Sequence, residues 1–117
     1  MEGEPLIVEE SDRAVLVRFP HEQLLEEDDI LATGEQLHHL AENGDGRPLV
    51  LVLDSFQYYR SMFLATLLRV RDKRIAVGGR LLIVQSAESF SQQTFAVTGV
   101  TRRFEIFPDE GSALASV

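Results

Sequence analysis

The run Leu49-Val50-Leu51-Val52-Leu53, entered after Pro48, constrains this chain more than any other segment. Successive side chains of a strand point to opposite faces, so a strand with one wet face alternates apolar and polar residues. This run does not alternate. Both of its faces must be buried, which makes it a central strand lying under helices. Leu81-Leu82-Ile83-Val84, entered through the turn Gly78-Gly79, is a second run of the same kind.

The segments around these runs supply the cover. Asp28 or Asp29 is placed to cap a helix running to about Asn43, in which Ile30, Gly34, Leu37 and Ala41 recur at helical spacing and Leu40 widens the stripe. Asn43-Gly44 and Asp45-Gly46 offer its exit. Residues 54–60 read as a loop. Ser61 is placed to cap a second helix whose inner stripe is Leu64, Leu67, Leu68 and Ile75, with Arg69, Lys73 and Arg74 largely outside it. Residues 88–98 suggest a weaker helix with Phe90, Phe95 and Val97 inward and Gly99 as its stop. Phe104, Ile106 and Phe107 read as a last strand, and Pro108-Asp109 starts a short closing helix with Ala113 and Leu114 inward.

Ahead of all this, Leu6-Ile7-Val8 and Ala14-Val15-Leu16-Val17, then Phe19, flank the polar stretch Glu9 to Asp12. They suggest a hairpin ended by Pro20. The expected order is ββαβαβαβα: an α/β fold with a mixed, mostly parallel central sheet, an opening β-hairpin and about four helices. Strands joined through helices run parallel because each crossover returns the chain to the same edge. The 117 residues suffice for one domain, residues 1–117, around one core.

Composition removes several functions. No cysteine is present, so disulfides, thiolate metal sites and cysteine nucleophiles are excluded, and a cytoplasmic location is expected. The acidic start Met1-Glu2-Gly3-Glu4 lacks the apolar core of an export signal, and no run approaches the ~20 apolar residues of a membrane span. A net charge of −8 argues against nucleic acid as a partner. The charge is lopsided: residues 1–35 carry a net of −9 and residues 60–103 a net of +6. Two solvated faces explain that, and so does a basic rim that steers an acidic partner.

No glycine-rich phosphate loop and no Gly-x-Ser-x-Gly elbow occurs, so no catalytic centre can be named and no cofactor is expected. His38 and His39 point about 100° apart on a helix, which does not suit a shared metal, and His21, His38 and His39 are expected in solvent. The acids Glu22, Glu26, Glu27, Asp28 and Asp29 lack calcium-loop spacing and read as a solvated acidic turn. No metal site is expected. One segment stands out: Tyr58-Tyr59-Arg60-Ser61-Met62-Phe63, leaving the carboxyl end of the central strand at a helix entrance. Such loops are where α/β folds place function. Its large apolar residues either complete the core or form an exposed contact patch.

Two segments give the chain a resemblance. Val50 to Leu64 aligns without gaps to a buried strand, a loop and the pattern Asp-Ser-Ser/Thr-Gly/Ala-Leu. Val97-Thr98-Gly99-Val100, Phe104-Glu105-Ile106-Phe107-Pro108-Asp109-Glu110 and Ala113-Leu114-Ala115 look like the L-T-G-L, F-x-I-F-x-D-E and A-L-A of the same ending. In these segments, and in element order over about residues 4 to 116, the chain resembles the STAS family of sulfate transporters and anti-sigma-factor antagonists.

The resemblance implies a non-catalytic regulatory module that binds a protein partner such as a serine-kinase anti-sigma factor. The contact residues would be Tyr58, Tyr59, Arg60, Ser61, Met62 and Phe63. It also implies release by phosphorylation at the second hydroxyl of the pattern, and there the sequence departs. Arg60 stands for the Asp, Ser61 for the first Ser, Met62 for the phosphorylated residue and Phe63 for the small residue. Methionine has no hydroxyl, so the usual switch position cannot be modified, and Ser61 is the remaining candidate acceptor. Alternative roles that the resemblance leaves open are a scaffold subunit of a stressosome or lipid-transporter complex, and a sensor of nucleotides or other small molecules.

Overall fold

The computed structural model describes residues 5–42, 46–86 and 103–117. Along these the elements are β1 (Ile7–Glu10), β2 (Val15–Arg18), β3 (Gln23–Leu24), α1 (Glu27–Glu42), β4 (Leu49–Val52), β5 (Tyr58–Tyr59), α2 (Ser61–Ala76), β6 (Leu81–Val84), β7 (Glu105–Phe107) and α3 (Glu110–Ala115). The main sheet has the order β1-β2-β4-β6-β7. β1 pairs antiparallel with β2, and every other pair is parallel. The mixed, mostly parallel sheet and its opening hairpin are as expected. Three helices fall among the described residues. The expected helix over 88–98, with Phe90, Phe95 and Val97, lies outside them, as do Gly44 and the Val97-to-Val100 motif.

All four residues of β4 and all four of β6 are buried. Their alternation divides the core into two. Leu49, Leu51, Leu53, Leu81 and Ile83 meet Ile30, Leu37 and Ala41 of α1 and Phe63, Leu64, Leu67 and Val70 of α2. Val50, Val52, Leu82 and Val84 face the other way, with Ala14, Leu16 and Ala113 of α3. α1 and α2 lie closely together: a Cβ on Gly34 would come within 2.9 Å of the Thr66 methyl. Glycine at that point of the apolar stripe is what lets the two backbones approach.

A two-residue parallel pair joins β3 to β5, matching Gln23 to Tyr58 and Leu24 to Tyr59. The sequence offers no such strands. It reads Tyr58-Tyr59 as loop, because two residues carry too little periodicity to register. The pair is fixed from across the chain, by Gln57 N–H donating to Glu22 O at 2.7 Å and Arg60 N–H donating to Leu24 O at 3.3 Å.

Several expected details are corrected. α1 starts at Glu27, so Asp28 and Asp29 sit inside its first turn, near the positive end of its dipole, and do not cap it. At α2 the cap position is Arg60, whose side chain makes no capping hydrogen bond, so Ser61 is the first helical residue and not a cap. The capping device does appear at α3, where the Asp109 carboxylate accepts from Ser112 N–H at 2.7 Å, and that bond lowers the Asp109 pKa.

The largest correction concerns the inner stripe of α2. Ile75 is exposed, and Arg74 is buried to 2% exposure. Spacing explains it: Phe63, Leu67, Val70 and Arg74 follow steps of four, three and four along one face. The Arg74 guanidinium donates to Ala41 O at 3.3 Å and to Arg47 O. It thus meets a carbonyl in the last turn of α1 and one just ahead of β4. A Cβ on Gly79 would run into that guanidinium.

Arg74→Met should therefore cost on the order of 3 kcal/mol, because carbonyls that lose a buried charged donor stay dehydrated. Gly79→Val should cost at least 1 kcal/mol, roughly the strain of forced overpacking. Urea unfolding midpoints of the two variants test both statements, and wild-type midpoints would show that the guanidinium is no tie.

Candidate functional site

The parallel register of β2, β4 and β6 aligns their carboxyl ends at one edge of the sheet. The β4–α2 connection crosses that edge, and side-chain bonds pin it there. Ser55 Oγ donates to Phe19 O at 3.2 Å, and Asp54 Oδ1 accepts from Ser86 N–H at 2.7 Å. Beneath it, Phe19, Phe56, Tyr59 and Phe63 form a cluster of tilted and edge-on rings with centroids 5.2–5.9 Å apart. His21 stacks on Phe56 with centroids 6.3 Å apart and planes within 4°. Such ring geometries add to what burial alone contributes.

This cluster sorts the six expected contact residues. Tyr59 and Phe63 are buried in it and belong to the core. Tyr58, whose side chain alternates away, is 54% exposed. Arg60 and Ser61 are exposed and Met62 is half-buried. Leu25, which the sequence reading passed over, is 42% exposed and adjoins the same surface, since Arg60 Nη1 donates to Leu25 O at 3.4 Å. The available sign was an apolar pair, Leu24-Leu25, amid acidic residues.

Charge at this edge is mostly negative. Glu22, Glu26, Glu27, Asp28 and Asp54 are all exposed, and the connection itself brings Arg60. The basic surplus of residues 60–103 is spent elsewhere. Arg74 is internal, Lys73 pairs with Glu42, Arg71 with Asp72 and Arg80 with Glu105. A basic rim around the start of α2 is therefore absent among the described residues.

The histidines depart from expectation as well. His39 is exposed, but His21 and His38 are half-buried. Burial, then the nearby charges of Lys73 and Arg69, lowers the His38 pKa. Among the described residues no helix is long and apolar enough to cross a membrane.

No family model matches the sequence, and neither does any curated protein. Solved structures do match. An anti-sigma-factor antagonist (STAS) domain protein from Planctomyces limnophilus superposes with a TM-score of 0.79 at 15% identity, covering 99% of this chain and 98% of that one. An anti-sigma factor antagonist from Mycobacterium paratuberculosis gives 0.79 at 19% identity, covering 97% and 92%. The anti-sigma factor antagonist SpoIIAA, in its unphosphorylated form, gives 0.71 at 14% identity, covering 94% and 93%. This chain has the STAS fold. In a STAS fold with this sequence, Arg60-Ser61-Met62-Phe63-Leu64 opens α2, with Ser61 outward and Phe63 inward.

Two outcomes follow. Phe63→Ala should lose about 3–5 kcal/mol of stability, the usual cost of removing a buried ring, while Tyr58→Ala should stay within about 0.5 kcal/mol of wild type. Denaturant melts of the two variants distinguish core from surface at adjacent turns. For His38, a lowered folded pKa means the unfolded chain binds the proton first. Its contribution is present above the unfolded value of about 6.5 and is lost as pH falls through that value toward the folded one. His38→Gln should thus lose less melting temperature than wild type between pH about 7 and about 5, and equal losses would contradict the assignment.

Proposed function

We propose that this chain, as one domain over residues 1–117, is a non-catalytic regulatory module that binds a protein partner, as an anti-sigma-factor antagonist does. The observation that carries the reading is the carboxyl edge of a STAS fold bearing two exposed apolar residues, Leu25 and Tyr58, together with exposed carboxylates. Apolar centres with polar rims are the usual anatomy of a protein contact. Tyr58 supplies the rigid amphipathic ring that such contacts favour, and Arg60, Ser61 and the outer part of Met62 complete the surface. Tyr59 and Phe63 support it from below. A partner such as a serine-kinase anti-sigma factor fits this surface when its own face is cationic, since five acids outnumber Arg60.

The position that would carry a regulatory phosphate is Met62, and a thioether cannot accept one. Binding is therefore constitutive, or controlled by something other than phosphorylation there. A photo-crosslinking residue placed at position 58, with a second at Ser116 on the far edge as control, tests the surface in cells. Position 58 should capture a protein with a basic face and position 116 should not. Against the captured partner, Tyr58→Ala with Arg60→Ala should weaken binding about tenfold or more without changing the melt. Incubation of that partner with ATP and this chain should leave it unphosphorylated. Stoichiometric phosphate on Ser61 with loss of the complex would overturn the constitutive reading, and an unaltered Kd for the double variant would overturn the surface itself.

A further inference from the structure

A second concave site lies at the opposite edge of the sheet, where β6 and β7 begin and α2 ends. Arg71, Ile75, Arg80, Arg103, Phe104 and Glu105 are among the residues that line a cavity of about 360 Å³ there. That volume lies within the range of small-molecule sites. Its chemistry is divided. One part of the wall is aliphatic and aromatic, from Ile75, Leu81 and Phe104. The rest carries three guanidiniums and one carboxylate.

The polar half is already partly organised. Glu105 bridges Arg80 at two points, Oε1 to Nη2 at 2.6 Å and Oε2 to Nε at 3.1 Å, and Arg80 Nη1 also donates to Ser116 O at 3.2 Å. Arg80 is thereby fixed and neutralised. Arg71 engages Asp72 through Nη1 alone at 3.1 Å, an exposed pair of the kind that contributes little. Arg103 has no acidic partner among the described residues. Arg103, unpaired among the described residues, and Arg71, held by Asp72 through one nitrogen only, thus line the cavity beside an apolar wall. Ile75, 48% exposed on the last turn of α2, is an apolar residue that the core leaves out, and it borders this cavity.

We propose that this cavity binds a small organic phosphate, its phosphate between Arg71 and Arg103 and its apolar body against Ile75, Leu81 and Phe104. A single guanidinium fork satisfies the two oxygens of a carboxylate. Two forks can share a carboxylate as well, but the three outer oxygens of a phosphate monoester use more of their donors. The Arg80–Glu105 bridge occupies one guanidinium of three, which leaves Arg103 and the weakly held Arg71 to face the anion. Strand register separates this site from the partner surface. Arg80 precedes Leu81 at the amino end of β6, whereas the β4–α2 connection leaves the carboxyl end of the paired β4.

Calorimetric titration of the full chain with phenyl phosphate, at concentrations up to about 5 mM, tests the proposal. Saturable one-to-one binding is expected, with inorganic phosphate about tenfold weaker because it lacks the apolar body. An Arg71→Gln, Arg103→Gln double variant should bind phenyl phosphate at least about tenfold more weakly, and Ile75→Ser should weaken phenyl phosphate but not inorganic phosphate. Amide shifts in the wild-type chain should centre on Arg80, Leu81 and Glu105, which keeps the test independent of how the variants fold. Tyr58→Ala should bind the probe normally, so failure here leaves the partner surface untouched, and the reverse holds. No binding across that range, unaltered binding by the double variant, equal affinity for inorganic phosphate, or shifts centred on residues 58–63 would each overturn the site.

Discussion

Because every residue of β4 and β6 is buried, neither face of these strands can meet water, and the chain must cover both. Each buried valine or leucine favours the covered state by roughly 1.5–3 kcal/mol, so leaving a face open is costly. The period of two assigns the faces: odd-numbered residues of β4 and β6 go to α1 and α2, even-numbered ones to α3. Parallel pairing then requires crossovers, and crossovers carry the helix entrances to one edge. The position of the candidate surface follows from that requirement. Burial of Leu51 and Ile83 is what places Tyr58 and Arg60 at that exposed edge.

Helices that cover a sheet must also be held in register with it, and here Arg74 makes the link. A buried guanidinium is costly to dehydrate and persists only when its donors are used. Arg74 spends donors on the carbonyls of Ala41 and Arg47. Ala41 lies near the carboxyl end of α1, whose dipole favours a cation. One side chain thus ties the end of α2 to the end of α1 and to the entrance of β4. Gly79 must stay small to admit it, and Gly79 also lines the Arg71–Arg103 cavity. The frame of that cavity and the tie between helices therefore meet at Gly79.

What the sequence revealed was set by the length over which a physical pattern runs. Four-residue apolar strands and sixteen-residue helices show their periods, so the main sheet, the hairpin and three helices were legible. β3 and β5 were not, because each is two residues long and exists through bonds to the other. Arg74 was misplaced because a charge on a helix is ordinarily turned outward, and the pattern gives no sign of carbonyls waiting inside. Phe63 reads either way from the sequence, because its contact with Phe19, distant in sequence, carries no local sign. Leu25 was missed because a lone apolar residue in an acidic stretch has no period. The candidate surface was legible as a place, the loop ahead of α2, but the sequence could not say which of its side chains turn outward.

The inward turn of Phe63 changes what its departure from the family pattern means. A ring at a position where the family has a small residue suggests added bulk against a partner. Buried between Phe19, Phe56 and Tyr59, the ring instead stiffens the floor under α2, and the surface changes are confined to Arg60 and Met62. Electrostatics then bears on the remaining hydroxyl. A phosphate on Ser61 would adjoin Arg60, which could pair with it, and would join Glu22, Glu26, Glu27, Asp28 and Asp54 on one edge. Toward the cationic partner proposed for that edge, two more negative charges strengthen attraction at long range, and only a steric or hydration conflict at contact could drive release. A phosphoswitch at this site would thus work against the field of the surface that carries it. In the family pattern an Asp precedes the two hydroxyl residues, whereas Arg60 puts a cation beside Ser61. Methionine at 62 offers no acceptor, and the field of this edge gives a phosphate at 61 no means of repelling the cationic partner proposed for it.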